Sequence, residues 1–197
     1  MRPALLGLLA CPACGGALAL DGGASTDWVE TGRLSCAACR TTYPVEEGIP
    51  RLARAAGLGR GARLTRERFG YEWLRYPGSL EEDRRVFLEE TQVTEAAFKG
   101  RRVLDAGCGM GRYAAVARAL GAEVVAFDLS EALTRLAAPA REDEGLHPVQ
   151  GDLLNPPFKP GVFDLVYSQG VLHHASDTKA AFGKAALLVA PGGTLTV

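Results

Sequence analysis

Four cysteines stand in two pairs, Cys11-Pro12-Ala13-Cys14 and Cys36-Ala37-Ala38-Cys39, separated by 21 residues. A CxxC turn directs two thiolates at one point, and two such turns close a tetrahedral sulfur site of the kind that suits Zn²⁺. A disulfide pair or a redox CxxC is the alternative. Two CxxC units in a chain expected to be cytoplasmic favour the metal. Sulfur at all four positions leaves none open, so the expected zinc is structural rather than catalytic.

A second set begins at Val103. Val103-Leu104-Asp105-Ala106-Gly107-Cys108-Gly109-Met110-Gly111 is an apolar run with an acid near its end, followed by glycine at every second position. A strand that turns into a helix through glycines brings bare backbone N–H groups and a helix N-terminus to one point, where the anionic end of a cofactor can sit. A dinucleotide loop would read GxGxxG. Here the spacing is GxGxG, and a carboxylate at Asp105 would repel a pyrophosphate. It would suit an ammonium group. S-Adenosyl-L-methionine carries an ammonium, a carboxylate for the loop N–H groups, and no phosphate. Asp128 follows Gly107 by 21 residues, at a strand end from which a carboxylate accepts ribose hydroxyls. Asp152 is placed to accept from the adenine amino group, with Leu129 and Leu153 as apolar covers. Cys108 is expected as a small packing residue beside the cofactor, not as a fifth zinc ligand.

The third set is His173-His174, just beyond a predicted strand. Methyl transfer from a sulfonium mainly requires alignment of the nucleophile and exclusion of water. An oxygen or nitrogen nucleophile can also need a base, for which His173 is the first candidate and His174 the second. The plainer reading is that the pair only shapes its loop.

The elements that must position these residues follow from pattern. The chain has 197 residues, a hydrophobic content of 47% and a net charge of −1. This is globular composition with no general electrostatic case for nucleic acid. Leu8-Leu9-Ala10-Cys11 imitates a lipoprotein cleavage site, but the apolar stretch before it is short and the charged region is one arginine. No run approaches the ~18 apolar residues of a membrane span. Residues 1–52 read as a zinc ribbon with strands near Leu18–Leu20, Trp28–Val29 and Arg33–Ser35. So small a module needs its metal in order to fold.

Residues 53–100 read as a helical connector. Arg51, Arg54, Arg60, Arg63, Arg66 and Arg68 form a basic stretch, a solvated face in the plain reading and an RNA contact in the sharper one. Phe69, Trp73 and Tyr76 share a helical face, for packing or as a lid. Ser79 is expected to cap a helix running through Lys99.

Residues 101–197 alternate strand and helix, as in a parallel α/β sheet. The strands are Val103–Ala106, Glu123–Phe127, His147–Gln150, Val162–Tyr167 and Thr194–Val197. Helices fall at Arg112–Leu120, from an N-cap at Ser130 to about Arg141, and from an N-cap at Asp177 to about Val189. Pro191-Gly192-Gly193 reads as a turn into the fifth strand.

Two resemblances follow from these motifs. The start CPxCxG, the second CxxC and Tyr43-Pro44-Val45-Glu46-Glu47-Gly48-Ile49-Pro50 resemble the zinc ribbon related to the small activator subunit of tRNA and protein methyltransferases. That resemblance implies a ribbon that docks on a methyltransferase or is fused to one. VLDAGCGMGRY, VVAFDLS, GDLLNPPF, VFDLVYSQGVLHH and LLVAPGGTL resemble the class I S-adenosylmethionine-dependent methyltransferases of the broad small-molecule type. The resemblance implies a Rossmann-like, mostly parallel sheet and cofactor contacts at Asp105, Gly107, Gly109, Asp128, Leu129, Asp152 and Leu153 and near Ser168 and Gln169; Cys108 and Gly111, in the same loop, are further candidate contacts. Asn155-Pro156-Pro157-Phe158 spells the loop of enzymes that methylate amide or adenine nitrogens. It stands before the fourth strand rather than after it, so it is read as a turn.

The class I fold has seven strands and this chain reaches the fifth. The two C-terminal strands are therefore expected to be absent, with the edge of strand five open to a partner chain. Three functions stay open: a small-molecule methyltransferase with a fused ribbon, an rRNA or tRNA methyltransferase, and a non-catalytic cofactor-binding or docking module.

Overall fold

A computed structural model describes residues 1–22, 27–53 and 80–197. The connector arginines from Arg54 to Arg68, the aromatic run Phe69–Tyr76 and the Ser79 cap lie outside the described residues.

The N-terminal module is a four-stranded antiparallel sheet in sequence order, β1 Leu18–Leu20, β2 Gly32–Cys36, β3 Thr42–Glu46 and β4 Ile49–Pro50, preceded by a 3₁₀ turn at Pro3–Gly7. The motif after the second CxxC is a hairpin. Glu47 and Gly48 take φ of 52° and 73° between β3 and β4, the backbone of a tight hairpin turn that favours glycine. A Cβ on Gly48 would fall 2.0 Å from the Trp28 ring. Trp28–Val29, expected as a strand, is irregular chain. Its backbone partner is the chain start, with the Met1 ammonium donating to Val29 O and the Val29 N–H to Met1 O.

The second module is a five-stranded sheet of β5 Arg102–Ala106, β6 Glu123–Asp128, β7 Leu146–Gln150, β8 Phe163–Tyr167 and β9 Val189–Thr196. Every pairing is parallel and the spatial order is β7-β6-β5-β8-β9. The strands are apolar on both faces, as a parallel sheet covered on both sides requires. On one face Val103, Val124, Ala126, Leu165 and Tyr167 meet Phe87 of α1 (Leu80–Thr91), α2 (Arg112–Ala119) and α3 (Ala137–Glu142). On the other, Leu104, Ala106, Val125, Phe127, Val149 and Val166 meet Ala185 and Leu188 of α4 (Thr178–Leu188) together with Met1, Leu5, Leu8 and Leu9.

Parallel strands are usually joined through a helix that covers one face. The β7–β8 connection, residues 151–162, contains none. The N-terminal module occupies that face instead. Leu9 forms an antiparallel bridge with Phe158. The Ala10 N–H donates to Pro157 O at 2.9 Å and the Lys159 N–H to Leu8 O at 2.9 Å. Phe158 in turn packs edge-on against Phe127 and Phe163. Asn155–Phe158, expected as a turn, follows one: the turn lies at Leu153–Leu154, closed by the Asn155 N–H on Asp152 O, and Pro156-Pro157 lead as irregular chain into the Phe158 bridge that seats the ribbon. Beyond β4, Arg51 bridges in parallel to Gln150 and the Leu52 N–H donates to Gln150 O at 2.8 Å, so the same module also meets the β7 edge.

Three expected boundaries shift. Helix α1 stops at Thr91 rather than Lys99, because Gln92 takes φ 54° and the Thr91 hydroxyl bonds back to Phe87 O. Ser130 precedes a 3₁₀ turn (Glu131–Leu136) and makes no side-chain cap, its own N–H being held by the Asp128 carboxylate. Strand β9 begins at Val189, and Pro191-Gly192-Gly193 is absorbed as a bulge between the Phe163–Val189 and Leu165–Thr194 pairs. Asp177 does cap α4, accepting from the Ala180 N–H at 2.8 Å.

Candidate cofactor and metal sites

In the ribbon, the first CxxC follows the 3₁₀ turn and the second closes the β2–β3 connection. The four sulfurs of Cys11, Cys14, Cys36 and Cys39 lie within 4.8 Å of one another. Cys11 and Cys39 are 3.6 Å apart, and Cys14 and Cys36 are 3.5 Å apart. That spacing fits a tetrahedral tetrathiolate around a zinc ion with bonds of about 2.3 Å. The Tyr43 hydroxyl lies 3.2 Å from Cys11 Sγ and the Gly16 N–H donates to Cys14 Sγ at 3.4 Å, outer contacts that orient ligands.

At the C-terminal ends of the β strands lies a cavity of about 220 Å³. It opens where the sheet order reverses on either side of β5, the position at which open α/β sheets bind ligands. Asp105, Gly107, Cys108 and Gly109 line it from the first strand and its loop, Asp128 and Leu129 from the second, Asp152 and Leu153 from the third, and Gln169 from the fourth. Met110, Arg112, Tyr113, Leu154 and His174 also line it.

Two residues of the expected set do other work. Gly111 holds a left-handed turn (φ 88°) at the start of α2, where a Cβ would strike Leu136. The Ser168 hydroxyl donates to Ala106 O at 2.6 Å and ties the end of β8 to that of β5. The histidines divide: His174 lines this cavity, whereas His173 lines a neighbouring one that shares Gly170 and Val171 with it. Their ring centroids are 3.9 Å apart.

The loop corrects one expectation. Four of its amides are not bare. The Gly107 and Cys108 N–H groups both donate to Phe127 O, Gly109 donates to Asp128 Oδ2 at 2.8 Å, and Gly111 donates to Cys108 O. The glycines serve the turn itself. Gly107 has φ 97° and the Val171 side chain lies 2.4 Å from where a Cβ would stand. Asp128 clamps the loop through Gly109 and its own turn through the Ser130 N–H at 2.7 Å. A carboxylate has about four acceptor sites, so capacity for a ligand remains.

Asp105 is buried, and its Oδ2 has no hydrogen-bond partner; the same is true of Gln169 Nε2. Burial pushes the Asp105 carboxyl up to about 8, with the Tyr167 hydroxyl acting against the shift and Asp128 adding to it. A buried acceptor and a buried donor left unpaired at one cavity are costly alone and fit a ligand that supplies both partners. Arg112, missed in the sequence reading, is held by Asp83 of α1, a helix-start acid that is itself buried. Only the acidic first turn of α1 signalled Asp83 in the sequence, and that pattern is ordinary helix capping. Of the basic stretch Arg51–Arg68, Arg51 lies within the described residues and is paired with Glu131 and Glu46.

A doubly wound parallel sheet with a ligand cavity at its switch point and an acid at or just beyond the C-terminal end of each of β5, β6 and β7 resembles the class I S-adenosylmethionine-dependent methyltransferase architecture. Residues 104–197 match the methyltransferase domain family and residues 2–48 the Trm112p-like protein family. Ubiquinone biosynthesis O-methyltransferase of Xanthomonas campestris pv. campestris is 37% identical over 109 residues, 52% of this chain and 44% of that protein. An uncharacterized methyltransferase of Mycobacterium bovis is 35% identical over 95 residues, 48% of each chain. This chain therefore spans less than half the length of these curated relatives. Phosphoethanolamine N-methyltransferase 2 of Haemonchus contortus, solved with phosphomonomethylethanolamine and S-adenosylhomocysteine, superposes with a TM-score of 0.52 at 26% identity, covering 64% of this chain and 31% of that one. The same enzyme with S-adenosyl-L-methionine gives 0.55 at 24% identity, over 74% of this chain and 36% of that one, a likeness of fold. Among the described residues no helix is long and apolar enough to cross a membrane.

Proposed function

We propose that the chain carries the cofactor site of an S-adenosyl-L-methionine-dependent methyltransferase that methylates an oxygen, nitrogen or carbon of a small-molecule acceptor. The observation that carries this reading is the pair of orphaned atoms, Asp105 Oδ2 and Gln169 Nε2, in residues that line one cavity. In this reading Asp105 receives the ammonium of the cofactor and Asp128 the ribose hydroxyls. Asp152 receives the adenine amino group, with Leu129 and Leu153 against the ring. Because the Gly107, Cys108, Gly109 and Gly111 amides are engaged, the cofactor carboxylate falls to the side where Arg112 lines the cavity. When bound, the cofactor supplies the methyl group. The protein excludes water and holds the nucleophile in line. His174, which lines the cavity, is the better placed of the two histidines to take a proton from the acceptor. The name of the Xanthomonas relative supports an acceptor of small-molecule size. Isothermal titration of the zinc-loaded chain with S-adenosylhomocysteine tests the reading. One site per chain, lost in Asp105→Ala, is expected; no heat of binding in the folded wild type overturns it.

A further inference from the structure

The wall of the cavity formed by the turn after β6 is held from behind by side chains that never reach the cavity. Gln150, at the end of β7 and 4% exposed, donates from Nε2 to Leu129 O at 3.2 Å and to Glu131 Oε1 at 3.0 Å. Glu131 Oε2 accepts from Arg51 Nη1 at 3.1 Å. Arg51 is 11% exposed at its side chain and belongs to the segment leaving β4 of the ribbon module. Its backbone bridges to Gln150, and the next residue, Leu52, donates to Gln150 O. On the cavity side of the same turn stand Asp128, Leu129 and Ser130. A turn with polar residues on one side and a ligand on the other keeps its position only if its own carbonyls are satisfied. Here one of them, Leu129 O, is met by a buried amide.

We infer that Gln150, Glu131 and Arg51 form a relay of positioning residues that fixes the Asp128–Leu129 wall of the cavity, and that Arg51 makes the ribbon module part of it. The inference rests on the reading of this cavity as the cofactor site. It goes beyond that reading in giving a role to residues that touch no ligand. The relay acts on the adenosine side of the site, whereas Asp105 acts on the amino-acid side.

The test is a double-mutant cycle read by isothermal titration on the zinc-loaded chain, with S-adenosylhomocysteine and 5′-methylthioadenosine as probes. Glu131→Gln, at an exposed residue, removes the ion pair with little risk to folding and is expected to raise Kd for both probes by about 3- to 10-fold, the worth of one ordinary hydrogen bond. Arg51→Ala is expected to do the same, and the double variant to lose no more than the worse single, because both changes break one connection. Asp105→Asn serves as contrast: it weakens S-adenosylhomocysteine and leaves methylthioadenosine, which has no ammonium, unchanged. Loss of folding would weaken both probes as the relay does, so the melting temperature and the number of sites per chain are read for each variant, and wild-type values of both assign a weaker Kd to positioning. Glu131→Gln within about twofold of wild type, or singles whose effects multiply, overturns the relay while leaving the cofactor reading intact. A folded wild type that binds neither probe overturns the cofactor reading, and the relay falls with it.

Discussion

Leu9 and Phe158 face one another across an antiparallel bridge that joins the ribbon module to the five-stranded module. Phe158 is 5% exposed and Leu9 fully buried, and both belong to one apolar cluster that runs from Met1 through Val125 and Phe127 to Leu188. The two family segments therefore share a core.

Metal removal should then unfold more than the ribbon. Cys11 directly follows Ala10, whose N–H bonds to Pro157 O, so loss of the tetrathiolate releases the chain that seats Phe158. Chelation of zinc, or Cys36→Ser, is expected to lower the melting temperature of the whole described fold in one transition. Calorimetry checks this, and two separate transitions would show that the modules fold independently. Phe158→Ala is expected to cost about 3–5 kcal/mol, the usual loss for a buried aromatic.

The buried carboxyl of Asp105 makes stability and binding depend on pH in opposite ways. Its pKa rises from 3.8 to about 8 on folding. Between those values the folded chain keeps a proton that the unfolded chain gives up. This group's contribution to stability is therefore full below pH 3.8 and lost as pH rises through about 8. An ammonium ligand needs the ionised form. Affinity for S-adenosylhomocysteine should rise with pH up to about 8, with a proton released on binding below that value. Titration in buffers of different ionisation heat counts that proton, and Asp105→Asn should abolish it.

Gly107 tests the turn. Its φ is 97°, and the Val171 Cγ1 lies 2.4 Å from the position of a Cβ. Gly107→Ala should cost about 1–3 kcal/mol in backbone strain. It should also weaken cofactor binding, because Val171 lines the same cavity. A denaturant midpoint and a Kd measured together check both parts. An unchanged Kd would show that Val171 moves without disturbing the site.

Asp83→Asn should lower stability by about 1–2 kcal/mol, less than the full cost of breaking a buried pair because Arg112 is partly exposed. If Arg112 meets the cofactor carboxylate, S-adenosylhomocysteine binding weakens in this variant while 5′-methylthioadenosine binding does not. Equal weakening of both would assign Asp83 to packing alone.

Much of this was legible in local pattern. Val103-Leu104-Asp105, the glycines after it and the acids at Asp128 and Asp152 each announce themselves within a few residues, because strand ends and turns are set by local chemistry. What was not legible depends on distant partners. The loop amides looked bare because Phe127 O, which receives two of them, lies one strand away. Asp83 reads in the sequence as one of three ordinary first-turn acids, because its partner Arg112 belongs to another helix. The early end of α1 rests on Gln92, a residue with no strong breaking tendency held at φ 54°. The docking of the ribbon on Phe158 joins chain segments for which no local pattern exists.

The helix-free crossover between β7 and β8 bears on how this protein would tolerate being cut. A face of the sheet that a crossover helix would ordinarily cover is here covered by residues 1–9 of the same chain. Division near residue 52 would convert an intramolecular contact into a bimolecular one. Its occupancy would then follow protein concentration, where in the intact chain it does not. The isolated second half would present Val125, Phe127, Val149 and Phe158 to solvent, an apolar patch of the sort that drives association.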